Sequence, residues 1–264
     1  MGILLLAGAA ALLTWLLAFL MLLAFSPSPH PLPSVQASSK KRKNVLLVVA
    51  HPDDESMFFA PTLLSLASLG CYHVRVLCLS NGNAEGLGAI REQEMLSACC
   101  FLKVPTENVD ILDDPALQDG QGVIWSASLI SEVLERTLTN HNIDTIITFD
   151  SYGVSGHPNH TAVHRGVCDF LLDCAKSYKQ KDLCVEAWKL ESVSIIKKYS
   201  GPIYGLWSMW TYRTTSQSHQ FFNRAPRHTI QAMQRHATQW LWYRRLFVVF
   251  SHYSYMNTLH RFST

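Results

Sequence analysis

Two short stretches of this chain hold side chains that can bind a metal and move a proton. The first is His51-Pro52-Asp53-Asp54-Glu55, one imidazole and three carboxylates in five residues. Like charges this close repel unless a cation sits among them, and a divalent metal suits the place. The second is His157-Pro158-Asn159-His160. Alone, the first stretch reads equally well as a solvated acidic turn whose aspartate caps the next helix. Together the two offer an aspartate and two histidines to one ion, with a fourth position left for water. That is the pattern of a catalytic zinc site rather than a structural one.

The spacing divides the roles. His51 and Asp54 can aim a ring nitrogen and a carboxylate oxygen at one ion from a single tight turn, which Pro52 stiffens. Asp53 lies between them and cannot easily share that direction, so it is free to act on a water as general base. Glu55 is better suited to anchoring the loop by hydrogen bonding. Spacing alone does not decide between His157 and His160 as the third ligand. His164, four residues beyond His160, shares its helical face and is a further candidate ligand or supporting partner. Asp150 is placed to orient a histidine.

The elements that must position these residues are strands. Asn44–Val49 reads as a buried strand running straight into His51, and Ile143–Phe149 as another ending at Asp150 before a Gly/Ser loop. Strand ends of this kind are where an open α/β sheet places its ligands. Around them the pattern predicts a helix over Met57–Leu69, a strand over His73–Leu79 and a loop over Ser80–Gly88. It continues with a helix over Ala89–Leu102, a short strand over Val109–Leu112, helices over Ser126–Asn140 and Thr161–Lys176, and a strand over Val193–Ile196. This alternation predicts an α/β, Rossmann-like fold: a mostly parallel sheet with flanking helices, preceded by one N-terminal transmembrane helix.

The chain has 264 residues and a net charge of +2. That is enough for one sizeable domain, and the balance argues against nucleic acid, which asks for a basic stripe. No Lys, Arg, Asp or Glu occurs before Lys40. Ile3–Phe25 is long enough to span a bilayer, which takes roughly 20 residues. It lacks the basic n-region and short core of a cleaved signal peptide. The organisation read from this is an anchor at 1–25, a Pro/Ser-rich spacer with a basic flank at 26–43, expected to be extended and poorly packed, and a catalytic domain at 44–264. Lys40, Lys41, Arg42 and Lys43 put that domain on the cytosolic side and attract anionic lipid. An odd set of seven cysteines without zinc-ribbon spacing agrees with a reducing compartment. The aromatic C-terminal stretch, with Arg244 and Arg245, reads either as an interfacial membrane segment or as a core-packing helix.

In type, order and separation, the two motifs resemble those of the LmbE-like / PIG-L de-N-acetylases. These are zinc-dependent hydrolases of N-acetylglucosamine derivatives, and the resemblance spans 44–200. It implies Zn2+, or another divalent metal, held by His51, Asp54 and His160. It implies Asp53 as general base and His157 as the group that stabilises the oxyanion or protonates the leaving amine. Arg91, with Glu92 and Glu94 nearby, matches the family's arginine–glutamate helix and would hold the sugar or phosphate of the substrate; by spacing alone it is equally a surface ion pair. Joined to the anchor and its basic flank, the resemblance implies the membrane-bound branch. Its substrate is N-acetylglucosaminyl-phosphatidylinositol in the bilayer, met on the cytosolic face of the endoplasmic reticulum in the second step of glycosylphosphatidylinositol-anchor synthesis. The residues leave open a metal hydrolase of another acetylated sugar or of a phosphate ester. They also leave open a catalytically silent glycolipid-binding subunit.

Overall fold

The computed structural model describes residues 2–33, 42–120, 123–176, 185–212 and 214–263. It opens with α1 (Gly2–Phe25), β1 (Lys43–Val49), α2 (Asp54–Met57), α3 (Ala60–Leu69) and β2 (Tyr72–Cys78). Then come α4 (Gly88–Phe101), β3 (Val109–Ile111), α5 (Ala127–His141), β4 (Thr145–Phe149), α6 (Gly153–Gly156) and α7 (Pro158–Lys176). The last third carries β5 (Glu186–Leu190), α8 (Ile195–Tyr199), α9 (Pro202–Thr211), β6 (Ser218–Phe222), α10 (Arg227–Met233), α11 (Trp242–Phe250) and β7 (Met256–Arg261).

The seven strands form one sheet in the order β3-β2-β1-β4-β5-β7-β6. Strands β3 to β5 run parallel, while β7 is antiparallel to both β5 and β6. Alternation within β1 divides the core. Val45, Leu47 and Val49 face the side covered by α3 and α4, and Leu46 and Val48 face the side covered by α5 and α7. A strand buried on both faces is nearly all apolar, as this one is. From β1 the chain winds outward to β2 and β3, then returns to lay β4 on the other flank of β1. The crevice outside the carboxyl ends of β1 and β4 is therefore a topological switch point, where such sheets bind ligands. Both motifs sit there.

Several expectations are corrected. The helix over Met57–Leu69 is two: α2 and α3 are separated by Phe58 and Phe59, and Pro61 in the first turn of α3 has no N–H to continue an earlier helix. The strand predicted at Val193–Ile196 is β5, at Glu186–Leu190; Ile195 and Ile196 instead open α8 and are exposed. The spacer packs over its first part. Leu32 is buried in the core, its N–H donates to the Tyr72 hydroxyl at 2.7 Å, and the His30 carbonyl lies 3.1 Å from His219 Nε2. The rest of it, 34–41 with Lys40 and Lys41, lies outside the described residues, as does Cys184. The other six cysteines are free thiols.

Two buried histidines carry a pH prediction. Burial pushes His219 down to about 4 and His252 down to about 3. Below the unfolded value of about 6.5 the unfolded chain takes up protons that the folded chain refuses. Each group therefore contributes stability that is full above that value and is lost as pH falls towards the folded pKa, at about 1.4 kcal/mol per pH unit. His219→Gln keeps an Nε2–H donor for the His30 carbonyl but cannot titrate. Its melting temperature should fall less than that of the parent between pH 6.5 and 5. Equal slopes would contradict the assignment.

Candidate functional site

The first motif begins where β1 ends. Its turn is held by its own carboxylates rather than by solvent. Asp54 Oδ2 accepts the backbone N–H groups of Ala50 and His51 at 3.0 and 2.9 Å. Glu55 Oε2 accepts the N–H of Asp53 at 3.1 Å, while its Oε1 accepts from Ser56 Oγ at 2.6 Å and lies 2.7 Å from His236 Nε2. Glu55 thus braces the loop and makes no approach to the histidine cluster. Asp53 stands at the N-cap position of α2 without capping it. Its φ of 113° is unusual for a residue with a side chain. The carboxylate turns away to meet the Arg244 guanidinium at 3.0 Å.

The second motif opens α7 beyond β4, with Pro158 at the first helical position, where its missing N–H costs nothing. His160 Nδ1 donates to the Gly153 carbonyl at 3.0 Å, which turns Nε2 towards Asp54 Oδ1 at 3.2 Å. The Asn159 N–H donates to His157 Nδ1 at 3.2 Å, leaving the neutral ring's proton on Nε2. The Asn159 side chain reaches across to His51 Nε2 at 2.8 Å.

These residues converge on one cavity of about 310 Å³, lined by His51, Asp53, Asp54, Asp119, His157 and His160 and closed by Tyr199, Gln239, Tyr243, Arg244 and Phe247. A larger hollow of about 620 Å³ lies beside α3 and β2, but its walls offer only His73 as a metal-ligating type. One nitrogen from each of His51, His157 and His160 lies within 4.8 Å of the others. With Asp54 alongside, the donor set is imidazole plus carboxylate, which fits zinc and similar divalent ions. The Gly153 carbonyl gives His160 the outer hydrogen bond that metal-bound histidines usually have.

Electrostatics separate the two aspartates. Burial would raise Asp54, but His160 and His51 hold it well below the usual carboxylate range. Burial raises Asp53 to about 7 against the pull of Arg244, with the Asp54 charge adding to the rise. Burial lowers His51 to about 4 despite Asp54 and lowers His157 in the same direction, whereas the charge and hydrogen bond of Asp54 overcome burial at His160 and raise it. A carboxylate kept ionised beside one poised near neutrality is a usual arrangement where one holds and the other moves protons.

Three residues lie elsewhere than expected. Asp150 orients no histidine; it accepts from the N–H groups of Gly153 and Ser192 at 2.9 and 2.7 Å and so sets the loop carrying the Gly153 carbonyl. His164 neither reaches the cavity nor supports a ligand: its Nδ1 lies 3.0 Å from the Phe149 carbonyl and its ring stacks on Phe262. Arg91 is buried behind the first motif, donating to the Gly82 carbonyl at 2.7 Å and to Glu85 at 2.6 Å, and is not part of the cavity wall.

Other site residues had no local sequence signature. Asp119, 3.5 Å from His51, belongs to the acidic glycine-bearing loop after β3, a third strand end that could have drawn attention. His236, Gln239 and Arg244 come from the C-terminal third, where only the basic-aromatic composition stood out.

Gly153 carries a prediction of its own. Its φ is +60°, and a β-carbon there would stand 2.5 Å from His160 Cβ. Gly153→Ala should displace His160, weaken metal binding at least tenfold and cost about 1–3 kcal/mol of stability. Titration calorimetry and denaturation would check both; unchanged values in both would show that the contact is slack.

A family model described as PIG-L: GlcNAc-PI de-N-acetylase matches residues 46–171. The chain is 35% identical over 243 residues to the probable N-acetylglucosaminyl-phosphatidylinositol de-N-acetylase of Dictyostelium discoideum, covering 83% of this chain and 93% of that one. It is 37% identical over 217 residues to the N-acetylglucosaminyl-phosphatidylinositol de-N-acetylase of Bos taurus, covering 81% of each. Among solved structures, it resembles the N,N'-diacetylchitobiose deacetylase from Pyrococcus horikoshii, with a TM-score of 0.61 at 17% identity over 93% of this chain and 91% of that one.

Proposed function

This chain belongs to the PIG-L family of de-N-acetylases, and from that premise we propose that it hydrolyses the N-acetyl group of N-acetylglucosaminyl-phosphatidylinositol. The products are acetate and glucosaminyl-phosphatidylinositol. The observation that carries this reading is the convergence of His51, Asp53, Asp54, His157 and His160 on one cavity at the switch point.

We assign the metal to His51, Asp54 and His160, and zinc as the ion that suits them. When bound there, it supplies Lewis acidity towards the acetyl carbonyl and makes water more acidic. Asp53 takes a proton from the attacking water, and Arg244 keeps its carboxylate turned into the cavity. His157, whose Nδ1 accepts from the Asn159 N–H, has its Nε2–H free to stabilise the carbonyl oxygen as it gains charge, and the C–N bond breaks as Asp53 returns to the departing amine the proton it took. Arg91 acts indirectly by holding the Gly82 loop behind Pro52. Among the described residues, α1 is the one helix long and apolar enough to cross a bilayer. With the basic flank, it supports a single-pass protein whose catalytic domain faces the cytosol at the endoplasmic reticulum.

The test is acetate release by the purified full chain from N-acetylglucosaminyl-phosphatidylinositol in mixed micelles, with p-nitrophenyl phosphate as the competing substrate. Metal-dependent acetate release without phosphate release is the expected result. Phosphate release alone would move the chain to ester hydrolysis, and no turnover of either would leave a binding subunit.

A further inference from the structure

Helix α1 does not stand clear of the domain. Trp15, Phe19 and Leu22 lie along one side of it. Trp15 packs against Phe250 and Tyr255 with ring centroids 5.8 and 6.2 Å apart, and Phe19 meets Tyr255 at 6.0 Å. Leu22 is fully buried, and Gly205 of α9 leaves it room: a β-carbon there would meet Leu22 Cδ2 at 3.1 Å. The rest of α1, from Leu5 to Leu13, is exposed.

Depth follows from helix geometry. Ten residues separate Trp15 from Phe25, about 15 Å along the axis at about 1.5 Å per residue. If α1 crosses the bilayer with Phe25 at the surface, whatever touches Trp15 and Leu22 lies about 5–15 Å inside it. The elements that touch them are α9, the end of α11, Tyr255 and the adjoining ends of β6 and β7 at Phe222 and Met256.

Their composition agrees. Helix α9 has no charged residue, and its Trp207 and Trp210 are 55% and 75% exposed. Neighbouring α8 exposes Ile195 and Ile196, and α11 exposes Trp242, Leu246 and Phe250. Basic groups fringe this surface: Lys197 lies over the Tyr204 and Trp207 rings, and Arg245 over Trp240. Tryptophan with Lys and Arg at the rim of an apolar face is the composition of a membrane interface. The face is continuous with the docked anchor. It also borders the cavity, because Tyr199 of α8 and Tyr243, Arg244 and Phe247 of α11 are cavity walls.

We propose that α8, α9 and α11 dip into the leaflet on the domain's side of the membrane, which places the cavity mouth at headgroup level. A lipid-linked sugar then enters the site while its acyl chains stay in the bilayer. The delivery half of this inference rests on the function proposed above; the membrane contact does not.

The test uses the full chain, anchor intact, in vesicles of phosphatidylcholine and phosphatidylserine whose acyl chains are brominated near the headgroup. Bromine-quenched tryptophan emission is compared with that of the Trp207→Phe/Trp210→Phe/Trp242→Phe variant, which preserves bulk and folding. Removing these three should lower the bromine-sensitive emission by about twofold or more. Equal quenching in both proteins would overturn the proposal and leave the face to a protein partner or a second copy. For delivery, a Trp207→Gln/Trp210→Gln/Trp242→Gln variant should raise KM for the bilayer-embedded glycolipid about tenfold, or 1.4 kcal/mol. It should leave a water-soluble N-acetylglucosaminyl inositol phosphate unaffected. Equal loss on both substrates would overturn delivery. If the parent quenches but releases acetate from neither substrate, the proposed function fails and the membrane contact stands.

Discussion

Asp53→Asn is expected to lower kcat by about 10²–10⁴-fold while leaving the metal content unchanged. The substitution keeps size and shape and removes the charge that would accept a proton. Asp53 is 4% exposed, lines the cavity, and departs from ordinary backbone geometry in a way that turns its carboxylate to Arg244 instead of to the helix it precedes. Burial has raised it to about 7, so it can both accept and return a proton near neutral pH. The ligand candidates His51, Asp54 and His160 keep their hydrogen bonds in the variant, because none of them bonds to the Asp53 side chain. Losing the ion pair to a part-exposed arginine could cost stability, so the melting temperature is read alongside. The general-base assignment fails if kcat stays within tenfold of the parent in a protein with full metal content.

The second large effect belongs to the metal. Dialysis against a chelator should remove activity, and zinc should restore it. Zinc at about a hundredfold over its dissociation constant should also stabilise the fold by about 2.7 kcal/mol. His160→Ala should abolish that rise as well as activity. It should also destabilise the metal-free protein by about 3 kcal/mol, because it leaves Asp54, 2% exposed, without the nearer of its two imidazole partners. His160→Gln, which can still donate to Asp54, separates the two losses: stability largely recovers and metal binding does not. A zinc-induced stabilisation that survived in both variants would move the metal away from His160.

Much of the site was legible because its chemistry is local. Each motif is a few residues long and sits at the end of a strand whose apolar run is unmistakable, so residue type and strand end together pointed to the same crevice. That β1 and β4 are neighbours is not written in either strand; it follows from the order in which the sheet is wound. The partners supplied from afar were illegible for a similar reason. Arg244 reads as a lipid-facing cation beside Arg245 until the fold brings it within 3.0 Å of Asp53. Strand β5, Glu-Ala-Trp-Lys-Leu, has less β-branched character than the neighbouring Val193–Ile196. It is a strand because Trp188 and Leu190 fill the core, whereas Ile195 and Ile196 face outward. The proline-rich spacer misled where one leucine, Leu32, found a pocket beside Tyr72.

The loop after β1 is shaped by its own carboxylates but is tied to the rest of the domain largely by residues that come much later in the chain. His236 meets Glu55, Gln239 Nε2 donates to the Pro52 carbonyl at 2.8 Å, Arg244 meets Asp53, and Asn257 Oδ1 accepts from Thr62 at the start of α3. During synthesis, the first motif leaves the ribosome some 180 residues before His236, the first of these partners. Until they arrive, Asp53 and Glu55 must wait without the arginine and histidine that pair with them. A chain stalled before Arg244 therefore carries both motifs while Asp53 still lacks its ion-pair partner. The surroundings of the first motif are complete only when the last quarter of the chain folds back onto its beginning.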